Sequence, residues 1–495
     1  MENKKIWTLI GIILISLQAL LQIVATVVVI WLNMLPNNYV VVLILAMVLL
    51  LEAILLFTFV PIKNRIRLWR RIVSCVLSGA IIIASLVVAK MGLDAYKLLD
   101  DVTGETSNIR NSYVLVLNES PVRSLMDTKE LRYGAVGNYD VDHTQQLLAA
   151  VEQAIESTLN LSYYEQPASL VDALYSQQID VIIMNEASVS LLVEQTGYED
   201  FLSRVRIVHT MAFEGEGQAD NIAGIASSSF VMYISGSDTR NAKLNVSRSD
   251  VNILAVINPT TKQVLLINTP RDAYVPNSAG KGSYDKLTHC GLYGVDCTME
   301  VLGNLYGVDV NHYARINFSG FEKLIDAIGG VTIYSDESFT SIHGMYFAAG
   351  ENVLDGKKTL EFSRERFHVT GGDNGRGKNQ MKVLKEVIEK ISSSKTLISN
   401  YADIIKSLEG MFVTSIEAEE IGNLVKMQLN DMSAWNVQSY SVSGTGGYGE
   451  TYSAPGQELY ITKLNDATVA YATQLIERVM SGEQLAAEDM VMPKQ

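Results

Sequence analysis

The stretch Leu360–Gln380, LEFSRERFHVTGGDNGRGKNQ, places Arg364, Arg366, Arg376 and Lys378 within fifteen residues, around the run Gly371-Gly372-Asp373-Asn374-Gly375. Arg364 and Arg366 stand two apart, and an extended segment would point both to one face. Gly375 and Gly377 would let the backbone turn and come close to whatever the arginines hold. Planar guanidinium forks match phosphate oxygens, and several together match a diphosphate. The bland alternative is a solvated basic loop at a helix start.

The rest of the chain sharpens the contrast. It has 495 residues and a formal net charge of −15. Residues 1–99 hold nine of its 39 Lys and Arg but three of its 54 Asp and Glu, so the remainder carries −21. Such a surface excludes non-specific nucleic-acid binding, and a basic cluster within it calls for a reason.

Three apolar runs open the chain: Ile6–Leu32, Tyr39–Val60 and Ile72–Ala89. Each is long enough to span a bilayer as a helix. Lys4 and Lys5 precede the first run, the turn after it is uncharged, and the second loop carries Lys63, Arg65, Arg67, Arg70 and Arg71. The positive-inside rule then puts the N-terminus and the second loop in the cytoplasm and everything after about Lys90 outside. The expected layout is three spans over residues 1–92, a linker over 93–110, an α/β domain over 111–227, a second α/β domain over 228–440 and a tail over 441–495. In the first of these domains, Asp142 reads as the cap of a helix ending at Leu159. In the second, a helix is expected over Gln380–Ser392.

Cys75 falls in the third apolar run. Cys290 and Cys297 lie on the outside, where a disulfide can persist. Free thiols are the alternative, and a zinc site with His289 matches no strong ligand pattern.

In the second α/β domain charged residues recur where apolar strands end: Asp238, Asp250, and Arg271 with Asp272. Open α/β sheets bind ligands at such ends. Two aspartates there could hold a hard divalent cation such as Mg²⁺, and the arginines a diphosphate that the metal also touches.

In order along the chain, GSDTR (236–240), VSRSD (246–250), INTPRD (267–272), YDKLTHCGLYG (284–294), NHYARINFSGFEKLIDAIGGV (311–331) and SRERF…DNGRGKNQ (363–380) resemble the LytR-CpsA-Psr family. With three spans and a preceding accessory domain, the chain is similar to the streptococcal capsule-assembly members. The resemblance implies an α/β/α domain outside the membrane that binds polyprenyl-pyrophosphate-linked glycan and moves glycan phosphate onto peptidoglycan. It puts Asp238 and Asp250 on metal positions for Mg²⁺ or Mn²⁺. It puts Arg271, Arg364, Arg366, Arg376 and Gln380 on pyrophosphate positions, the four arginines as the catalytic set, with Lys286 as a further basic position. Asn379 departs from the family, which usually has Arg before the final Gln. Asp272 or Asp373 is the expected general base, while His289 and His368 read as structural. Implied partners are the lipid-linked polysaccharide, peptidoglycan, membrane lipid and capsule-assembly proteins. A non-catalytic carrier of lipid-linked glycan and a membrane-anchored regulator are the competing classes.

The charge asymmetry of the loops gives a topology that reporter fusions check. Fusions after Asn37 and after Lys97 are expected to read outside and one after Arg67 cytoplasmic; a cytoplasmic reading at Lys97 would put the arginine cluster on the wrong side of the membrane.

Overall fold

The computed structural model describes residues 2–32, 37–60, 68–102, 109–137, 141–193, 195–214, 224–237, 247–399 and 401–492. Among them three helices are long and apolar enough to cross a membrane: α1 (Glu2–Trp31), α2 (Asn37–Phe59) and α3 (Leu68–Val102). The third does not give way to a linker at residue 93. Its apolar window reaches Asp94 and the helix runs on to Val102. The segment Lys90–Val102 is polar but has no proline and one glycine, Gly92, so composition lets the helix leave an apolar medium without ending.

The first α/β domain comprises β1 (Ile109–Leu117), β2 (Arg132–Val136), α4 (Val141–Ile155), β3 (Asn160–Tyr164), α5 (Pro167–Tyr175), β4 (Val181–Asn185), α6 (Glu186–Leu192), α7 (Phe201–Arg204) and β5 (Val205–Glu214). The strands form one sheet in the order β3-β2-β4-β1-β5, with β2 parallel to its two neighbours and β1 antiparallel to its own. Strand alternation sends Val114, Val116, Val181 and Ile183 to one face, and Leu115, Ile182 and Met184 to the other. The second face shares one core with helices of the following domain, so the two sheets are separate while their apolar cores are continuous. Asp142 lies inside α4 rather than capping it.

The second domain begins with β6 (Phe230–Ser237), β7 (Ser249–Asn258), β8 (Gln263–Asn268), β9 (Tyr274–Pro276), β10 (Tyr284–Lys286), α8 (Leu287–Cys290), α9 (Val295–Tyr306), β11 (His312–Asn317) and α10 (Phe318–Ala327). It continues with β12 (Val331–Ser335), β13 (Phe339–Thr340), β14 (Tyr346–Phe347), β15 (Gly350–Leu354), α11 (Gly356–Arg364), α12 (Asp373–Ser393), α13 (Lys395–Ser399), α14 (Tyr401–Ser407), β16 (Phe412–Thr414) and α15 (Ala418–Asp431). It closes with β17 (Asn436–Ser441), β18 (Gly444–Thr451), β19 (Ala454–Leu464) and α16 (Asp466–Met480). The main sheet has the order β16-β11-β6-β7-β8-β17. Leu254, Val256, Leu265 and Ile267 point to the side of α9 and α16, while Ile253, Ala255, Val264 and Leu266 point to α12. Both faces are therefore covered, which is the three-layer α/β/α arrangement.

Residues 441–495 are not a tail. β18 and β19 pair as a hairpin, and Leu475 and Ile476 of α16 are fully buried in the core. The glycine-rich run 444–449 concealed this, because glycine weakens a strand pattern.

Cys290 and Cys297 are free thiols rather than a disulfide. They close α8 and open α9 on either side of a glycine-bounded turn, and each sulfur has other partners. Cys297 Sγ donates to Asn277 Oδ1 at 3.3 Å and accepts from Ser278 at 3.3 Å, and Cys290 Sγ points to the Lys286 carbonyl at 3.8 Å. The hydrogen bond with Cys297, and then burial, push the Cys290 thiol well above its ordinary range, which keeps it protonated and unreactive. Reduction is accordingly expected to leave the intact mass unchanged, and a thiol reagent to modify both residues only after denaturation. A gain of hydrogen mass on reduction would restore the bridge.

Candidate functional site

The site grows from one pairing. β7 runs antiparallel between β6 and β8, with Ser237 opposite Ser249 and Asn268 opposite Ile253. β11 lies parallel to β6, with Asn317 beside Ser237. The amino end of β7 thus meets the carboxyl ends of its neighbours, and Asp250 faces the turn that follows β8. Arg271 on that turn donates through Nη1 to Asp250 Oδ1 at 2.6 Å, with the two side chains 13% and 18% exposed. Its carbonyl accepts the Thr288 N–H at 2.9 Å, which fixes the turn against α8. Beside it Lys286 Nζ bonds Asp272 Oδ1 at 2.6 Å, with Arg271 Nε 3.8 Å from the same oxygen.

The basic stretch differs in form from its sequence reading. Arg364 is the last residue of α11 and Arg366 lies just beyond it, so the two do not share an extended strand. Between them Glu365 is buried and accepts the backbone N–H groups of Ile342 at 2.7 Å, Phe367 at 2.7 Å and His368 at 3.0 Å. Burial raises its pKa, yet those donors outweigh it and hold the carboxyl below its ordinary value. Arg364 lies over the Phe318 ring at 4.3 Å and Arg366 over Phe367 at 4.7 Å, arrangements in which a guanidinium stays exposed yet oriented.

The turn is made at Gly371 and Gly372, whose φ values of +89° and +56° suit glycine. α12 begins at Asp373, seven residues before the expected start, so Arg376 and Gln380 stand one helical turn apart on one face. Gly377 serves packing rather than turning, because a Cβ there would collide with the Asn268 side chain. Arg376 is buried and ion-paired with Asp373. Burial lowers the Arg376 pKa against the pull of Asp373 and Asp250, and burial raises the Asp373 carboxyl against Arg376.

These elements close around a cavity of about 810 Å³. Its interior is apolar, with Ile253, Phe321, Val383, Val387, Leu424 and Trp435 among its walls. Asp250, Arg271, Arg364, Arg366, Arg376 and Gln380 line it as well, so the structure gathers these expected residues into one place. Lys286 does not line it but reaches it through the Asp272–Arg271 contacts. Neither Asp272 nor Asp373 is among the lining residues. Asp238 lies outside the described residues.

Sequence reasoning missed Arg315. It projects from β11 into the same cavity, is 2% exposed, and has its pKa lowered by burial. A buried cation needs anionic or dipolar company; Ser247 Oγ is 3.5 Å from Nη2, with the Tyr233 and Tyr313 rings nearby. The available signal was a charge in the middle of a short strand, HYARIN, between Ala314 and Ile316.

Among the described residues no three carboxylate, histidine or cysteine side chains converge on a point. One carboxylate beside an arginine cluster does suit Mg²⁺, which binds through one or two carboxylates and takes its other oxygens from phosphate and water.

Residues 207–468 match the LytR_cpsA_psr family. A polyisoprenyl-teichoic acid–peptidoglycan teichoic acid transferase TagU of Enterococcus faecalis is 32% identical over 220 residues, 44% of this chain and 71% of that one. Its counterpart in Bacillus mycoides is 31% identical over 212 residues, 43% of this chain and 67% of that one. Among solved structures, B. subtilis TagV covers 52% of this chain and 98% of its own, at 22% identity and a TM-score of 0.44. With the family matched over more than half of its length, the chain belongs to the LytR_cpsA_psr family.

Proposed function

We propose that the chain is a membrane-anchored transferase that moves a glycan phosphate from a polyprenyl diphosphate carrier onto a peptidoglycan hydroxyl. One observation carries this reading: Arg271, Arg315, Arg364, Arg366 and Arg376 line the same cavity as a long apolar interior. A ligand that is a diphosphate at one end and a hydrocarbon at the other satisfies both parts. The relatives named above are transferases of teichoic acid between a polyisoprenyl carrier and peptidoglycan, which supports a reaction of the same kind here. The positive-inside rule supports a catalytic domain outside the membrane.

The residues act mainly by position and charge. The acceptor oxygen forms a bond to the glycan-bearing phosphorus while the bond to the bridging oxygen breaks. Polyprenyl phosphate leaves, and the proton given up by the hydroxyl passes to the departing phosphate oxygen. Arginine donors aimed at the diphosphate offset the charge that grows on the leaving phosphate. Asp250 holds Arg271 in place, Asp373 holds Arg376, and the Phe318 ring holds Arg364. Asp250, with Asp238, would hold Mg²⁺, which as a Lewis acid adds charge stabilisation at the phosphoryl oxygens.

Arg364→Ala or Arg366→Ala is expected to weaken binding of a polyprenyl diphosphate glycan by about 1.5–3 kcal/mol, the worth of a hydrogen bond to a charged group. Lysine at these positions should restore little, since an ammonium lacks the bidentate fork. Transfer to purified peptidoglycan should fall in parallel. Asp250→Ala and Asp238→Ala are expected to remove the divalent-ion dependence of transfer while leaving more of the lipid binding, and a full Mg²⁺ response in either variant would move the metal elsewhere.

Arg376→Ala differs from the exposed arginines, because it also leaves Asp373 as an unpaired, partly buried carboxylate. Thermal or denaturant unfolding should show a loss of about 3 kcal/mol. Arg366→Ala should stay within about 0.5 kcal/mol of wild type.

A further inference from the structure

The hairpin β18–β19 is fastened to the turn that carries Arg271. The Thr462 N–H donates to the Asp272 carbonyl at 2.7 Å, the Tyr274 hydroxyl donates to the Glu450 carbonyl at 2.8 Å, and the Tyr452 N–H donates to the Tyr284 carbonyl at 2.9 Å. One face of the hairpin packs inward through Ile461, which is 1% exposed. The other face carries Tyr448 directly opposite Tyr460 and Glu450 directly opposite Glu458. Tyr448 is 71% exposed and Tyr460 48%, with their rings 5.9 Å apart and nearly perpendicular.

Folding does not account for this face. Like charges opposed across an antiparallel pair destabilise it, and two exposed tyrosines bury little. β18 also contains Gly444, Gly446, Gly447 and Gly449, which weaken a strand, and at three of them the close neighbours are the paired strand's own Lys463 carbonyl, Tyr460 ring and Ile461 side chain. At Gly446 a side chain would run into the Tyr460 hydroxyl, so this ring lies across the strand with its outer side open. The aromatic surface continues toward Lys286, where the Tyr274 and Tyr284 rings stand 4.9 Å apart and Tyr284 is half exposed.

We infer that this tyrosine and glutamate face binds the glycan strand that supplies the acceptor hydroxyl, whose charges are sparse beside those of a glycan phosphate polymer; the inference rests on the transferase reading above. Tyrosine rings offer an apolar face to the C–H side of a pyranose and a hydroxyl to its edge. Carboxylates accept hydrogen bonds from sugar hydroxyls and acetamido N–H groups. The same two carboxylates repel a polyanionic glycan phosphate, so the face suits the acceptor strand and not an anionic donor polymer. Its attachment at Asp272 places a bound strand beside the arginine cluster.

The test uses the full chain in detergent micelles and three probes: soluble un-cross-linked peptidoglycan glycan strands, a glycerol-phosphate polymer, and polyprenyl diphosphate. The double variant Tyr448→Ala, Tyr460→Ala is expected to lose strand affinity by about tenfold or more, equivalent to about 1.4 kcal/mol. Its polyprenyl diphosphate affinity and unfolding midpoint should be unchanged. Gly446→Leu, which displaces the Tyr460 ring while keeping both tyrosines, should reduce strand binding in the same direction. Unchanged strand binding in both variants, no strand binding by the wild type, or a loss confined to the glycerol-phosphate polymer would each overturn the assignment. Strand binding is read without turnover. A wild type that binds strands through these tyrosines but transfers nothing would therefore overturn the transferase reading and leave the site standing.

Discussion

The contact between Arg271 and Asp250 depends on a strand that runs against its neighbours. Were β7 parallel to β6 and β8, its charged start would lie at the opposite edge of the sheet, and Arg271 would face no carboxylate. Antiparallel insertion puts Asp250 2.6 Å from the guanidinium and leaves that edge lined by the turn after β8 and the end of β11. Arg315 and Arg376 then enter from either side, both buried, and each has its protonated form opposed by burial. Gathering cations in a partly dry pocket is costly without anions. Asp250, Asp272 and Asp373 offset part of that cost, and a bound diphosphate would offset much of the rest.

Beneath the cations the cavity turns apolar, and its walls lead toward the membrane anchor. Ile398 of α13 and Leu424 of α15 line the cavity, and α14 and α15 pack against α3. At the start of α2 the Lys395 ammonium meets the Tyr39 hydroxyl at 2.6 Å. The helices that wall the hydrocarbon part of the cavity are thus the ones that touch the membrane-anchored helices. A lipid-linked ligand would need no long passage through water to reach it.

Much of this was legible in the sequence, for identifiable reasons. Apolar runs of bilayer length, apolar strands with charged residues at their ends in β7 and β8, and arginines set against an acidic background are strong local signals, and they survived folding. The helix start at Asp373 was not legible, because Gly375 and Gly377 read as turn residues although they lie within the helix, where they let it approach Thr370 and Asn268 closely. Arg315 was hidden because a charge in a strand that also holds His312 and Asn317 reads as solvent-facing until burial is known. The two cysteines were misread because spacing says nothing about competing partners, and each sulfur had one within 3.8 Å. The end of the chain was misread because the glycines of β18 weaken its strand signal, while the core that buries α16 is built from residues distant in sequence.

The accessory domain and the hairpin bear on the site from outside the pocket. α6 packs near Leu292 and Tyr293 through a core shared with the second domain. Below it lies a buried network in which Asp285 takes the His289 imidazole at 2.7 Å and the Ser453 hydroxyl, and Tyr293 bonds Ser453 at 2.9 Å. Asp285 is next to Lys286, and Ser453 sits in the turn between β18 and β19. The same buried carboxylate therefore ties the lysine strand to the hairpin turn, with the accessory domain packed over the residues that hold it. Polar groups with no water access are held to one geometry, because any displacement leaves a partner unsatisfied. Among the described residues the first domain thus packs against the segment that carries this network, while none of its residues lines the cavity.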